Sequence, residues 1–128
     1  MSREFSYVVK KTITEEQITD IIVDSLEGGI TYWAMLNNDT EEFEKYYNST
    51  DLATSEIVAK ILLNGGSVEI TDVEEDVEPK HPLTIERLLI GIQKNAEERP
   101  WDCDLYNYDA TTCDCIIQYA IFDEVVFG

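Results

Sequence analysis

The chain has 128 residues, of which 44% are hydrophobic and 28% are charged, and its net charge at pH 7 is −18. This length and composition fit one globular domain, 1–128, with enough apolar side chains for a core. The anionic field repels phosphate backbones and anionic lipid headgroups, so it argues against direct DNA binding and membrane binding and favours basic protein partners.

The first third of the chain predicts a strand followed by a helix. Residues 4–12 alternate between apolar and polar side chains, which is typical of a half-buried edge strand. Thr14 then opens a Thr-Glu-Glu-Gln capping box, and apolar residues at helical spacing behind it predict an amphipathic helix that ends at glycines 28–29. Residues 30–36 predict a second short element, helical rather than extended, and 37–50 a polar connection.

The rest of the chain predicts three helices and a second strand. Residues 54–63 and 84–99 have the apolar spacing of amphipathic helices, and 68–73 between them indicate a strand that leads into an acid-rich bend. Thr111 or Thr112 is predicted to cap a last helix, and the tail behind it to be extended. This mixed order predicts an α+β domain with about four helices packed on a small antiparallel sheet.

No residue pattern predicts catalysis or a bound cofactor. The single histidine, His81, lies before a proline and is interpreted as a solvated turn residue. Cys103, Cys113 and Cys115 lack the C-x-x-C spacing and the further ligands of a zinc site, so they are interpreted as small core residues. Carboxylates are plentiful, but no pair stands out as an acid and a base. We therefore expect neither an enzyme nor a metal site.

An acid-rich run without any basic residue follows the second predicted strand. A solvated loop is the simpler interpretation. The alternative is a surface that imitates a nucleic-acid backbone and blocks a basic host nucleic-acid-binding protein, such as a CRISPR or restriction nuclease. The acids of this run are Glu69, Asp72, Glu74, Glu75, Asp76 and Glu78.

Aromatic residues suggest a different kind of site. Two glycines directly precede Tyr32 and Trp33, an arrangement that lets a ligand approach the backbone beside flat rings. Rings with amide groups at their edges are typical of nucleotide pockets, although rings can equally fill a core. The candidate ligand-binding residues are Gly28, Gly29, Thr31, Tyr32, Trp33, Trp101, Gln118 and Tyr119.

Two segments carry a resemblance to a known family. Residues 13–33, which end in E-G-G-x-x-Y-W, and residues 109–128, which include Asp114 and end in I-I-Q-Y-A-x-F-x-E-V-V-x-G, resemble the two ends of a family of small phage and prophage proteins. The chain departs from that pattern at Asp123, where glycine is expected, and at Phe127, where tyrosine is expected. The resemblance covers roughly a third of the chain.

Small phage proteins of this type often counter host defences, and some, such as the Thoeris anti-defence proteins, sequester cyclic ADP-ribose derivatives. The resemblance therefore implies a non-catalytic anti-defence protein of the host bacterial cytoplasm that encloses a small nucleotide-like immune signal. A homodimer or higher oligomer could form that pocket between subunits. Because the motifs consist of Gly, Tyr, Trp and Gln while the acid-rich run lies outside them, the pocket is favoured over the nucleic-acid mimic.

Overall fold

The computed structural model describes residues 2–49, 51–73 and 80–128. These residues form five α-helices and one three-stranded antiparallel sheet. The predicted α+β class is confirmed, with five helices rather than about four. No helix of the described ranges is long and apolar enough to cross a lipid bilayer.

The first helix, α1 (Glu15–Asp24), begins as its sequence predicts. Thr14 accepts a hydrogen bond from the Gln17 amide, and the Gln17 side chain accepts one from the Thr14 amide. The apolar stripe of this helix is buried, as the spacing predicts. Its last turn widens into a π-turn, Ser25–Gly29, in which the Ile30 amide donates to the carbonyl of Ser25.

The sheet is built from β1 (Ala34–Asn37), β2 (Val68–Asp72) and β3 (Lys80–Leu83), in that spatial order. The helical prediction for 30–36 is wrong at β1. A short apolar run has no decisive periodicity, and the pairing with β2 decides its structure. His81 lies in β3 rather than in a turn, and its ring meets Phe122 edge-on.

Two further predictions in the first half of the chain are wrong. Residues 2–13 have no regular secondary structure, because neither edge of the sheet pairs with them. The predicted connection 37–50 contains α2 (Glu41–Ser49). Acids in the first turn favour this helix, and the fully buried Phe43 anchors it to the core.

The C-terminal half is a helix pair. After α3 (Thr54–Leu63) and the sheet, α4 (Ile85–Glu98) packs closely along α5 (Ala110–Phe122). Gly91 permits this approach, since a Cβ atom there would lie 2.4 Å from the carbonyl oxygen of Ile116. Asp109 caps α5, two or three residues before the predicted cap, because its carboxylate accepts from the Thr112 amide. Nine consecutive residues of α5, 112–120, are buried.

Candidate functional site

The two family-like motifs meet at the buried carboxylate of Asp114. The indole nitrogen of Trp33 donates to Oδ1 at 2.8 Å, and the Tyr32 hydroxyl donates to Oδ2 at 2.5 Å. The side-chain amide of Gln118, one turn further along α5, donates to Oδ1 at 2.8 Å. These four side chains are called the Asp114 network. Three donors on one carboxylate satisfy a group that would otherwise be costly to bury.

Gln118 also holds the C-terminal tail against α5. Its Oε1 accepts hydrogen bonds from the backbone amides of Val126 at 2.7 Å and Phe127 at 2.8 Å. The Phe127 ring then stacks on Trp33, with ring centroids 5.0 Å apart and planes 11° apart. The tail therefore covers the indole face that a ligand would need.

The Asp114 network has the properties of a fold-stabilising cluster. Trp33 is 2% exposed, so a ligand could stack on it only by displacing the tail. Burial and the hydrogen bond to Asp114 raise the pKa of Tyr32 to about 12, so its hydroxyl stays a donor at neutral pH.

The twin glycines serve contacts within the protein. A Cβ atom on Gly29 would lie 3.1 Å from the carbonyl oxygen of Ala110 and 3.3 Å from the amide of Asp114, so this glycine lets the π-turn approach α5. A Cβ atom on Gly28 would meet nothing within 4 Å. The carbonyl of Gly28 accepts a hydrogen bond from the Thr31 hydroxyl.

A hollow of ligand size lies elsewhere, around Trp101. It has a volume of about 550 Å³, within the range of small-molecule pockets. One wall is the chain before α1, the second is α4, and the third is the loop after α4. Trp101 is 76% exposed and Tyr106 is 91% exposed at its rim. We call this hollow the Trp101 groove, and its apolar lining includes Val9, Ile13, Leu89, Ile92, Leu105 and Ile116.

A hydrogen-bonded hub fixes the loop that carries Trp101. The Asn95 side chain donates to the carbonyl of Asp102, and Arg99 donates both to Asn95 Oδ1 and to the Asp102 carboxylate at 2.7 Å. The Thr112 hydroxyl donates to the other carboxylate oxygen of Asp102 at 2.6 Å. Because this hub links α4, the loop and α5, Trp101 projects from a rigid support.

The predicted ligand-binding residues are therefore divided between the Asp114 network and its neighbourhood and the separate Trp101 groove. Ile116 lines the Trp101 groove and is two residues from both Asp114 and Gln118, about 200° around α5. The groove and the Asp114 network thus lie on different sides of this helix. Tyr119 is 7% exposed and lines neither described hollow.

The acid-rich run is described only in part. Asp72 is buried, and Glu69 lies 3.6 Å from the ammonium group of Lys80 in an ion pair. The other members, Glu74, Glu75, Asp76 and Glu78, lie outside the described residues. Neither described acid forms part of an exposed, unpaired carboxylate row.

The cysteines are separate from both hollows except for Cys103, which lines the Trp101 groove. Burial raises the pKa of the Cys113 thiol to about 12 and also raises that of Cys115. Among the described residues, no group of three His, Cys, Asp or Glu side chains is placed to hold a metal ion.

Comparisons with protein-family profiles, curated proteins and solved structures found no match. The geometry itself adds two features that the sequence analysis missed. One is the role of Asp114, which the spacing of Asp114 and Gln118 in an otherwise apolar helix could have indicated. The other is the groove beneath Trp101, for which no sequence pattern gives a signal.

Proposed function

We propose that this chain is a non-catalytic binding protein that sequesters a small nucleotide-type ligand in the Trp101 groove. One observation carries the proposal: a 76% exposed tryptophan on a hydrogen-bonded loop lines a mostly apolar hollow of ligand size. Exposing an indole to water is unfavourable unless something covers it, and a planar base is a suitable cover.

The lining of the groove suits a base with a phosphate. Trp101 and Tyr106 offer ring faces for stacking, and Leu89 and Ile92 offer an apolar floor. Lys11 and Asp104 are the charged residues of the described lining, so the groove itself is close to neutral. The acids elsewhere are screened over about 8 Å at physiological salt, so Lys11 can meet a phosphate despite the net charge.

The biological setting rests on the family resemblance of residues 13–33 and 109–128. Under the proposal, a phage or prophage produces this protein in the cytoplasm of its bacterial host, where the protein removes a nucleotide immune signal by mass action. This role needs affinity and abundance but no catalytic group. A basic host protein as the partner is the competing function, supported by the net charge of −18 and by exposed acids on α1 and α2.

The test is calorimetric titration with mononucleotides, cyclic dinucleotides and ADP-ribose isomers. A ligand that stacks on Trp101 should also change the fluorescence of the exposed tryptophan, because the other one, Trp33, is buried. Trp101→Ala should weaken binding by about 5- to 100-fold, the effect of losing one stacked base. The substitution should leave the thermal midpoint nearly unchanged, since the side chain is mostly exposed.

Ile90→Ala is the control, because Ile90 is a half-exposed apolar side chain on α4 that does not line the Trp101 groove. It should bind every ligand as the parent protein does. Absence of heat across the whole panel, or binding that Trp101→Ala leaves intact, would refute the proposal. A complex with a basic host protein that dissociates steeply with added salt would favour the competing function.

A further inference from the structure

Residues 2–12, called the arm, hold apolar side chains in solvent. Phe5, Tyr7 and Val8 are 81%, 88% and 87% exposed. No residue of the arm hydrogen-bonds with another described residue through its backbone, and only its C-terminal end lines the Trp101 groove. A run of exposed apolar side chains beside unpaired backbone is typical of a segment that binds another surface.

The arm differs in charge from the rest of the molecule. Residues 2–12 contain three of the nine Lys and Arg residues, Arg3, Lys10 and Lys11, and one of the 27 acids, Glu4. The arm therefore carries two net positive charges, and the remainder of the chain carries twenty net negative charges. A second copy of this chain is thus an electrostatically complementary partner.

The alternating apolar and polar side chains of the arm are typical of a strand, and a strand needs a free sheet edge to pair with. β1 provides such an edge. The sheet has two edges, β1 and β3, and neither pairs with a further described strand. β3 contains Lys80 and Pro82, residues that natural proteins use to block strand addition. β1 reads Ala-Met-Leu-Asn and contains neither.

The backbone of β1 has hydrogen-bonding groups directed outward. Val73 donates to the carbonyl of Trp33, so residues 33, 35 and 37 direct their backbone groups toward β2. By the alternation of an antiparallel pair, Leu36 then directs its amide and carbonyl to the free edge. An added strand would pair with these groups.

A second hollow lies beside this edge. It has a volume of about 230 Å³, and its lining includes Leu26, Leu36 and Glu27. An aromatic ring from an added strand would find apolar contacts there. The Glu27 carboxylate, which accepts from the Ser55 hydroxyl at 3.0 Å, would face the lysines that follow.

We propose that residues 5–9 of one copy add as a fourth strand to the free edge of β1 in a second copy, and that reciprocal exchange forms a homodimer. Phe5 and Tyr7 face the hollow beside Leu36, and Val9 leaves the lining of the Trp101 groove to join the same face of the added strand. Ser6 and Val8 then share the opposite face with Met35.

Cross-linking two separate protein populations tests the location. In a Cys103→Ser background, Val8→Cys is placed in one population and Met35→Cys in the other, and the mixture is oxidised mildly. The expected product is a disulfide-linked dimer with one chain of each kind. The control mixes Val8→Cys with Ile90→Cys. Ile90 is exposed to a similar degree as Met35 but lies on α4, so this mixture should give little disulfide-linked dimer. In a third experiment both cysteines are placed in one chain. If this doubly substituted chain forms only the intramolecular disulfide between positions 8 and 35, the proposal is overturned.

Sedimentation of the uncross-linked protein tests the energetics. The full chain should dimerise, and Lys10→Glu with Lys11→Glu should weaken the dimer at least tenfold. Arg87→Glu with Lys94→Glu changes the net charge equally but on α4, and it should have a smaller effect. A chain that stays monomeric up to about 1 mM would overturn the proposal, since its dissociation constant would then exceed that concentration.

Discussion

The indole nitrogen of Trp33 donates a 2.8 Å hydrogen bond to the carboxylate of Asp114, across 81 residues of sequence. This bond ties the segment before β1 to the central helix α5. The same carboxylate accepts hydrogen bonds from the Tyr32 hydroxyl and the Gln118 side-chain amide, and Gln118 Oε1 accepts one from the backbone amide of Phe127 in the tail. The two family-like motifs therefore assemble one polar cluster around the buried Asp114 carboxylate.

Asp114→Asn should destabilise the protein by about 2–3 kcal/mol, because an amide has one acceptor oxygen for three converging donors and brings an NH₂ group among them. Urea unfolding would measure this loss. Asp123→Asn removes the same charge at an exposed left-handed position that asparagine tolerates, so it should change the stability by less than about 0.5 kcal/mol. Equal effects of the two substitutions would contradict a structural role for the network.

Gly91→Ala should cost about 3 kcal/mol, the upper end of overpacking penalties, because the new Cβ would lie 2.4 Å from a backbone oxygen of α5. Gly28→Ala should instead raise the stability by about 0.5 kcal/mol, since its Cβ would meet nothing and the unfolded chain loses freedom. Thermal unfolding of both variants would show opposite shifts. Loss of ligand binding in Gly28→Ala would point to the twin glycines as part of a pocket after all.

Local signals were sufficient for the helices with clear caps and stripes. The Thr14 capping box and the apolar spacing behind it specify α1 without help from the rest of the chain. β1 and the arm could not be predicted in the same way. Ala34–Asn37 become extended because β2 is available as a partner, and the alternating arm pairs with none of the described strands.

Three residues of the Asp114 network could be predicted from the sequence as site residues, but their structural role could not. Tyr32, Trp33 and Gln118 were all predicted as site residues, and all three converge on one carboxylate. Whether a ring lines a pocket or fills a core depends on what covers its faces. Phe127 of the C-terminal tail covers one face of Trp33, whereas Trp101 is 76% exposed and lines an open groove.

Gln118→Met should release the C-terminal tail, because the substitution keeps the length of the side chain but removes the acceptor of two backbone amides. Hydrogen exchange at Val126 and Phe127 should accelerate by about tenfold or more, which corresponds to the loss of about 1.4 kcal/mol of protection. Gln93→Met on the exposed side of α4 is the control and should leave these two amides unchanged. Unaltered exchange in Gln118→Met would mean that Phe127 stacking alone holds the tail.

The Tyr32 hydroxyl makes the stability of the protein sensitive to alkaline pH. Its pKa is raised to about 12 by burial and by the hydrogen bond to Asp114, compared with 10 in the unfolded chain. A group with a raised pKa stabilises the fold fully below the unfolded value, and this stability is lost as pH rises from 10 through 12. Tyr32→Phe should therefore be less stable at pH 7 but lose less stability across that interval.

Urea unfolding at intervals from pH 8 to 12 would measure the difference between Tyr32→Phe and the parent protein, so that the titration of other groups cancels. Tyr106→Phe, at a 91% exposed ring, is the control for removal of a phenol. The gap between the parent and Tyr32→Phe should narrow above pH 10. A constant gap would mean that the pKa of Tyr32 is the same in the folded and the unfolded protein, which would contradict the raised pKa.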